Sequence, residues 1–302
     1  MEPPNKHVLH WVSGCLACLC AAQGVSAATS GNEIESLTNR SAIVVAGTVL
    51  KIRASADPML VASDKTATVE VGHMYAGQEI AGDQTGVTMT VILHDARAVK
   101  AGDSGIFFGN PRFVGAALTI EDVGEIFPAA GAADAVSRID KALQVRRDQP
   151  LRDQLAVANR VFKGRVETIR PLRDLVAGAG AGAGARAVTR PADEHDPEWQ
   201  VATVRVTAAL RGVAPGELSR IIFAASRDIT WFKSPKLKVG DDAVFLARRP
   251  GEPELDSLRE IGAVSFIEKE HVDVVSQAGA VLPVAEEERV RSLLGGTQGV
   301  RP

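Results

Sequence analysis

Ser104 is the residue of this chain whose neighbours best suit a nucleophile. It stands in the string Gly102-Asp103-Ser104-Gly105, and two histidines, His73 and His94, precede it. A nucleophilic serine needs a histidine base within hydrogen-bonding reach and a third group that orients the base. A hydrolase with a Ser/His site around Ser104 is therefore one function that the sequence leaves open.

The same string also fits a polar turn. Residues 99–108 (VKAGDSGIFF) align without a gap with residues 237–246 (LKVGDDAVFL), and Ser104 aligns with Asp242. A position that holds Ser in one copy and Asp in the other suits a turn in which Gly supplies a positive φ and Asp caps the backbone. We therefore predict a turn here and no catalytic residue.

Histidine and carboxylate side chains occur together at two places. These are His195-Asp196 and the segment Glu270-His271-Val272-Asp273. On a strand, His271 and Asp273 would point to one face, and imidazole with carboxylate suits Zn²⁺ or another divalent cation. Two ligands do not complete a site, so we interpret these residues as solvated polar side chains and predict no metal and no cofactor.

Two further segments could bind an anion. The alternating Gly-Ala run at 177–185 joins no strand to a helix, so it lacks the helix N-terminus that binds phosphate in dinucleotide-binding loops. The pairs Arg146-Arg147 and Arg248-Arg249 could bind a carboxylate or a phosphate. We interpret both pairs as exposed loop charge.

Trp231 and Phe232 are conspicuous because aromatic residues make up only 4% of the chain. They lie in a connecting segment before Lys233, Pro235 and Lys236, and the first copy has no counterpart to them. An exposed Trp-Phe pair could anchor a partner, or it could close the end of a barrel. These two residues are the candidate binding site.

The chain contains the same order of sequence blocks twice. Residues 66–77 (TATVEVGHMYAG) align with 201–212 (VATVRVTAALRG), and 46–49 (AGTV) align with 163–166 (KGRV). Further on, 126–128 (IFP) correspond to 281–283 (VLP). Such an internal repeat predicts two copies of one structural unit.

Each copy has the pattern of a small β domain. In the first copy we predict a helix near 33–39, strands near 42–52, 66–71, 87–93, 105–108 and 117–120, and a helix over 129–146. In the second we predict a helix near 151–159, strands near 161–169, 200–208, 219–224, 242–247 and 260–266, and a closing helix over 285–294. Gly47 inside the first strand indicates a bulge or a sharp bend.

The predicted fold is mainly β with a few helices: two tandem small five-stranded barrels of the oligonucleotide/oligosaccharide-binding (OB) type, each followed by a helix. A β-sandwich is the alternative. We predict a signal peptide over 1–27, a first barrel with its closing helix over 28–148, and a second over 149–298. A Gly-Ala loop insertion at about 174–197, predicted to be mobile, distinguishes the second copy.

This order of signals resembles the netrin-like form of the OB barrel, the domain of tissue inhibitors of metalloproteinases and of their bacterial exported relatives. The resemblance covers about 45–122 and 162–266. In those inhibitors an N-terminal Cys directly after the signal chelates the protease zinc, and disulfides brace that edge. Here Ala28 would be the first mature residue and no cysteine follows it. The resemblance therefore implies the fold and not the inhibitory residues.

Residues 1–27 have the pattern of an export signal, with Lys6, an apolar stretch and a small-x-small site that ends at Ala27. The alternative is a lipoprotein anchored through Cys15. The cysteines, Cys15, Cys18 and Cys20, all lie in this segment, so the mature chain would contain no disulfide and no Cys–metal site.

Composition narrows the function classes further. The formal net charge is −3 with both signs interspersed, which differs from the basic footprint of a nucleic-acid binder. No segment after the signal has the roughly 20 apolar residues of a transmembrane helix. We expect an exported, periplasmic or extracellular, non-enzymatic binding or structural protein whose partner is another exported or envelope protein. The alternatives are the hydrolase around Ser104 and a loop-based protease inhibitor.

Overall fold

The computed structural model describes residues 31–94, 99–115, 117–126, 132–179 and 195–296. Residue contacts divide the chain into two compact units, with the division between Arg147 and Asp148. The predicted signal peptide, its three cysteines and the Gly-Ala run beyond Ala179 lie outside the described residues. Among the described residues, no helix has the length and apolar character needed to cross a membrane.

The first unit contains one five-stranded sheet and its flanking helices. Its elements are α1 (Gly31–Arg40), β1 (Ile43–Ile52), β2 (Thr66–Ala76), α2 (Gln78–Ala81), β3 (Thr88–Ile92), β4 (Ser104–Val114), β5 (Ala117–Ile126) and the start of α3 (Ala132–Val157). The sheet closes into a barrel in the order β1-β2-β3-β5-β4. All its pairings are antiparallel except that between β3 and β5. This closed barrel confirms the predicted fold and excludes the sandwich for this unit.

Alternating apolar side chains fill the interior of this barrel. Examples that are almost completely buried are Val45, Val69, Met89, Phe107 and Ile120. The period-two alternation that predicts a half-buried strand places these residues on the inner face of the sheet.

The second unit contains a six-stranded sheet that forms a half-barrel. Its strands are β6 (Arg160–Pro171), β7 (Trp199–Arg211), β8 (Leu218–Ala224), β9 (Asp242–Ala247), β10 (Asp273–Val274) and β11 (Val281–Pro283). Its helices are the end of α3, α4 (Leu172–Ala179), α5 (Glu252–Glu260), α6 (Val264–Lys269) and α7 (Glu287–Gly296), with a 3₁₀ turn over Val284–Glu286. The chain is thus mainly β, with two tandem barrel-like sheets, as predicted.

The pairing of the first two strands is irregular at the same places in both sheets. The register of β1 against β2 shifts after Val44, after Ala46 and after Val49, and that of β6 against β7 shifts after the aligned Val161, Lys163 and Val166. In both sheets the first two shifts leave an unpaired residue on the second strand, and the third leaves one on the first strand. Such bulges bend a strand and increase its twist.

A glycine follows the central bulge in both sheets. A Cβ atom on Gly47 would lie 2.5 Å from Val69 Cγ1, and one on Gly164 would lie 2.6 Å from Val204 Cγ1. Only glycine fits where the second strand comes so close, and the register shift at Gly47 agrees with the predicted bulge or bend.

The fifth strand of the second sheet was predicted at the wrong place. Residues 260–266 are not a strand, because α5 and α6 occupy this region and bury Leu258 and Ile267 against Trp199. The fifth strand is instead divided in two. β10 pairs in parallel with β8, and β11 pairs antiparallel with β9, as the two parts of β5 do with β3 and β4.

The helices predicted at 129–146 and 151–159 are one helix, α3, that contains Pro150. Proline removes one backbone donor and normally ends or kinks a helix. Here apolar side chains on both sides of it are buried in their own units, Ile139 on the first sheet and Leu151 and Leu155 against α7. Packing therefore outweighs the single lost hydrogen bond.

The predicted insertion loop at about 174–197 begins as a helix. α4 places Leu172 in the core with no exposed surface and packs Leu175 and Val176 against the same cluster. Their spacing puts these three side chains on one helical face. The prediction of a loop was wrong for this part because the Gly-Ala composition hid that short apolar stripe.

Candidate functional site

The predicted turn before Ser104 is confirmed and has the same form in both units. Gly102 and its counterpart Gly240 have φ values of +91° and +93°. The carboxylate of Asp103 accepts a hydrogen bond from the Lys100 amide at 2.7 Å, and the Asp241 carboxylate accepts one from the Lys238 amide at 2.8 Å. Gly supplies the positive φ and Asp caps the backbone, as the alignment indicated.

Ser104 itself pairs with a threonine. Its Oγ lies 2.9 Å from Thr48 Oγ1, on the neighbouring strand. Among the described residues, neither His73 nor His94 hydrogen bonds to it, and the ring of His73 instead lies against Tyr75, with 4.6 Å between centroids. At the matching place in the second unit, an Arg165–Asp242 ion pair replaces the two hydroxyls. A histidine base for Ser104 is not part of this arrangement.

In neither of the two histidine-carboxylate segments, both of which lie among the described residues, does the structure show a hydrogen bond between the histidine and the carboxylate that was considered with it as a metal ligand. His195 Nδ1 lies 3.2 Å from Asp228 Oδ2, whereas Asp196 accepts a hydrogen bond from the Glu198 amide. His271 precedes β10 and has a φ of +50°, so it does not share a strand with Asp273. Within the part of the chain that the structure describes, no three His, Cys, Asp or Glu side chains are grouped as metal ligands would be.

The arginine pairs are less exposed than predicted. Arg146 donates hydrogen bonds to the carbonyls of Thr38 and Ser41, at 3.1 and 2.6 Å, and so caps the end of α1. Arg248 forms an ion pair with Glu254 at the start of α5, where both side chains are largely buried. The guanidinium groups of Arg146 and Arg248 therefore stabilise the fold. The interpretation of these two residues as exposed loop charge was wrong.

Trp231 and Phe232 have different environments. Trp231 packs edge-on against the buried Trp199, with 5.3 Å between ring centroids, and donates its Nε1 hydrogen to the carbonyl of His195 at 3.0 Å. Phe232 is 72% exposed. Trp231 therefore fastens the segment to the domain, and Phe232 is directed into solvent.

The segment between β8 and β9, residues 225–241, is called here the β8–β9 loop, and one lysine braces it. Lys236 Nζ donates hydrogen bonds to the carbonyls of Ala224, Ser226 and Trp231, at 2.7, 2.6 and 3.1 Å. Loss of solvent around the ammonium lowers the pKa of Lys236, and Arg227 adds to this, while Glu198 opposes it. One cation thus joins the end of β8 to two parts of the loop.

A carboxylate supports the same loop. Asp228 accepts a hydrogen bond from the Thr230 amide at 2.8 Å and contacts His195. The bonds from Thr230, followed by the interaction with His195, lower the pKa of Asp228 to about 2. The carboxylate therefore stays ionised and engaged within the loop.

Apolar and cationic side chains of the β8–β9 loop point outward. Ile229 is 88% exposed and Val239 is 62% exposed, in addition to Phe232. Three exposed cations accompany them, and among the described residues none forms an ion pair: Arg227, Lys233 and Lys238. The sequence analysis identified Phe232 and named Lys236 without giving it a role, and it missed Ile229.

A second departure from the first unit lies inside the second sheet. Where the first barrel carries Ile43, Met89 and Ile120, the matching strand positions carry Arg160, Ser219 and Asp273. We call these three residues, with Asn159, Glu217 and Arg249, the polar cluster.

Asp273 is the centre of the polar cluster. Its side chain is 2% exposed, Arg160 Nε lies 3.5 Å from its Oδ2, and Asn159 donates to its Oδ1 at 3.2 Å. Burial raises the pKa of Asp273, and the Asn159 hydrogen bond and the neighbouring cations oppose that effect. The cluster is a network of ionic groups around one buried carboxylate, with no counterpart among the described residues of the first barrel.

Besides α4 and the α5–α6 segment, the β8–β9 loop and the polar cluster are thus two places where the second unit departs from the frame it shares with the first. Of these, only the loop presents apolar side chains to solvent. No protein-family model matches the chain, and no curated protein matches it either.

Proposed function

We propose that the chain is an exported, non-enzymatic binding protein that contacts its partner through the β8–β9 loop of the second unit. The observation that carries this proposal is the exposure of Ile229 and Phe232 on a loop that Lys236 and Trp231 hold in place. Exposed apolar side chains on a braced loop enter a contact with little loss of conformational entropy.

The pairing of Ser104 with Thr48 supports this function over a hydrolase. A nucleophilic serine would need a histidine in the position that the threonine holds. The relation to netrin-like barrels also stays a proposal, which the strand order of the first sheet supports. Inhibition of a protease would have to use a loop, since the N-terminal cysteine of those inhibitors has no equivalent here.

Site-specific photo-cross-linking tests the proposed contact. A benzophenone-bearing phenylalanine analogue replaces Phe232 in one variant and Val61 in a control, since Val61 is an equally apolar position, 85% exposed, in the first unit. Both variants are expressed with the full chain and irradiated in intact cells. We expect an adduct, to protein or to lipid, from position 232 and none from position 61. Equal yields at the two positions, or no adduct at either, would refute the proposal.

A further inference from the structure

We infer that the β8–β9 loop is a membrane-docking element, which inserts Ile229 and Phe232 into the headgroup region of an anionic lipid surface while Arg227, Lys233 and Lys238 contact its phosphates. This inference rests on the proposed function and names the partner of the same loop.

The apolar part of the loop has the form that insertion requires. Ile229 and Phe232 are three residues apart and are 88% and 72% exposed. Val239, near the other end of the loop, is 62% exposed. An exposed apolar side chain loses free energy when it leaves water for the boundary between headgroups and acyl chains.

The exposed charges of the β8–β9 loop favour a negatively charged lipid surface. Arg227, Lys233 and Lys238 are exposed, while Lys236 is engaged with backbone carbonyls and Asp228 with Thr230 and His195. The loop therefore presents a local excess of positive charge on a chain whose net charge is −3. Cations beside apolar side chains favour anionic lipids, and each contributes a separate attraction to the surface.

The internal contacts of the loop keep these groups outside. The Trp231 amide donates to the Asp228 carbonyl at 3.0 Å, and the Ser234 amide donates to the Trp231 carbonyl at 2.9 Å. Lys236 and the Trp199–Trp231 contact fix the base of the same loop. The apolar side chains cannot fold back into the core without breaking these bonds.

A lipid surface fits this arrangement better than an acidic protein does. A protein partner has to supply a pocket for each anchor side chain and a matched carboxylate for each cation. An anionic bilayer offers an apolar environment to each anchor side chain and a phosphate to each cation, because its headgroups rearrange around the inserted side chains. The loop has separated anchors, at 229, 232 and 239, with cations between them, which suits the deformable surface.

Vesicle co-sedimentation of the full chain tests the inference. We expect binding to vesicles of phosphatidylcholine mixed equally with phosphatidylglycerol and much weaker binding to phosphatidylcholine alone. The double variant Ile229→Ser/Phe232→Ser should lose about tenfold or more in affinity. Lys233→Glu should lose about fivefold or more, and added salt should reduce the binding of the wild-type chain.

Matched controls separate the loop from the rest of the surface. Val61→Ser removes an apolar side chain that is 85% exposed, and Lys65→Glu reverses the charge of another exposed lysine, both in the first unit. Neither control should change vesicle binding by more than about twofold. Far-ultraviolet circular dichroism and tryptophan fluorescence check that each variant is folded.

The outcomes distinguish the inference from the proposed function. No binding to anionic vesicles, or equal binding by the wild-type chain and the loop variants, would overturn the inference. If position 232 is nevertheless cross-linked to a protein in cells, the loop is a contact surface of another kind and the proposed function stands. If neither vesicles nor cross-linking detect a contact, both proposals fail.

Discussion

Arg160 Nε lies 3.5 Å from Oδ2 of Asp273 on the second sheet, at the strand positions where the first barrel has Ile43 and Ile120. An ion pair thus replaces an apolar contact within the same backbone frame. Burial of an ion pair costs desolvation free energy that its attraction only partly offsets. The first barrel therefore supplies an apolar template against which this pair can be measured.

The triple variant Arg160→Ile/Ser219→Met/Asp273→Ile gives the second sheet the residues of the first. We expect its free energy of unfolding to lie within about 1 kcal/mol of the wild-type value or above it, because packed apolar groups can replace a buried ion pair. Arg160→Ile alone should cost about 2 kcal/mol, since it leaves the Asp273 carboxylate buried without its guanidinium. Urea unfolding measures both. A triple variant less stable than the single one would contradict this prediction.

The polar cluster should also give stability a specific pH dependence. Because burial raises the pKa of Asp273 above its ordinary 3.8, the folded chain holds the carboxyl proton more tightly than the unfolded chain. This contribution is complete below the unfolded pKa and is lost as pH rises through the folded pKa. Asp273→Asn cannot titrate, so the difference in unfolding free energy between the two proteins should change across that window and be constant above it. A difference independent of pH would exclude this role.

Alanine at the bulge glycines should destabilise each sheet. In Gly47→Ala the new Cβ meets the Glu70 carbonyl oxygen at 2.6 Å, and in Gly164→Ala it meets that of Arg205 at 2.8 Å. We expect losses of about 1–3 kcal/mol, measured as a lower melting temperature. Gly72→Ala on β2 is the control, because its nearest neighbour is 3.7 Å away. Equal melting temperatures for all three variants would contradict the close approach.

Ser104 and Asp103 should differ in their importance. Asp103→Ala removes the carboxylate that caps the Lys100 amide and should cost about 1 kcal/mol. Ser104→Ala removes only an exposed hydroxyl pair with Thr48 and should cost less than about 0.5 kcal/mol. Thermal unfolding compares the two. Any hydrolytic activity of the purified protein should be unchanged in Ser104→Ala, and its loss would restore the hydrolase hypothesis.

The brace of the β8–β9 loop can be removed without changing Ile229, Phe232 or the three exposed cations. Lys236→Met leaves three carbonyls without their shared donor, so the loop should open and chymotrypsin should cut after Trp231 or Phe232 several times faster. Lys238→Met, which removes an unpaired cation of the same loop, should leave the cleavage rate unchanged. Equal rates for both variants would show that Lys236 does not hold the loop.

The parts of the fold that repeat a local pattern could be predicted from sequence. Val69 and Val71 alternate with polar residues, as in a half-buried strand, and Gly47 interrupts the preceding strand. Both patterns return in the second copy. β10 could not be predicted, because two residues are too few to show a period. α5 and α6 were missed for a different reason: the short apolar segment 260–266 fits a strand as well as a helix, and only the packing of Leu258 and Ile267 in one cluster with Trp199 shows that the region is helical.

The candidate site was predictable only in outline. The Trp-Phe pair marked the right loop, but composition could not show that Trp231 would be packed and Phe232 exposed. Lys236 is one of several lysines in the segment, and its three carbonyl partners come from residues 224, 226 and 231, which only the folded chain brings together. Asp273 likewise acquires its importance from Arg160, which is distant in sequence.

The shared bulges have a consequence for how such a domain can change. They fix the register of the first strand within the sheet itself, so the length of a connecting segment does not shift any strand pairing. The connection before the Lys-x-Gly-Asp turn spans 93–99 in the first unit and 225–237 in the second, yet the turns that follow are alike. Loop length is thus decoupled from strand register, and the two barrels can acquire different surfaces while one hydrogen-bonding frame stays constant.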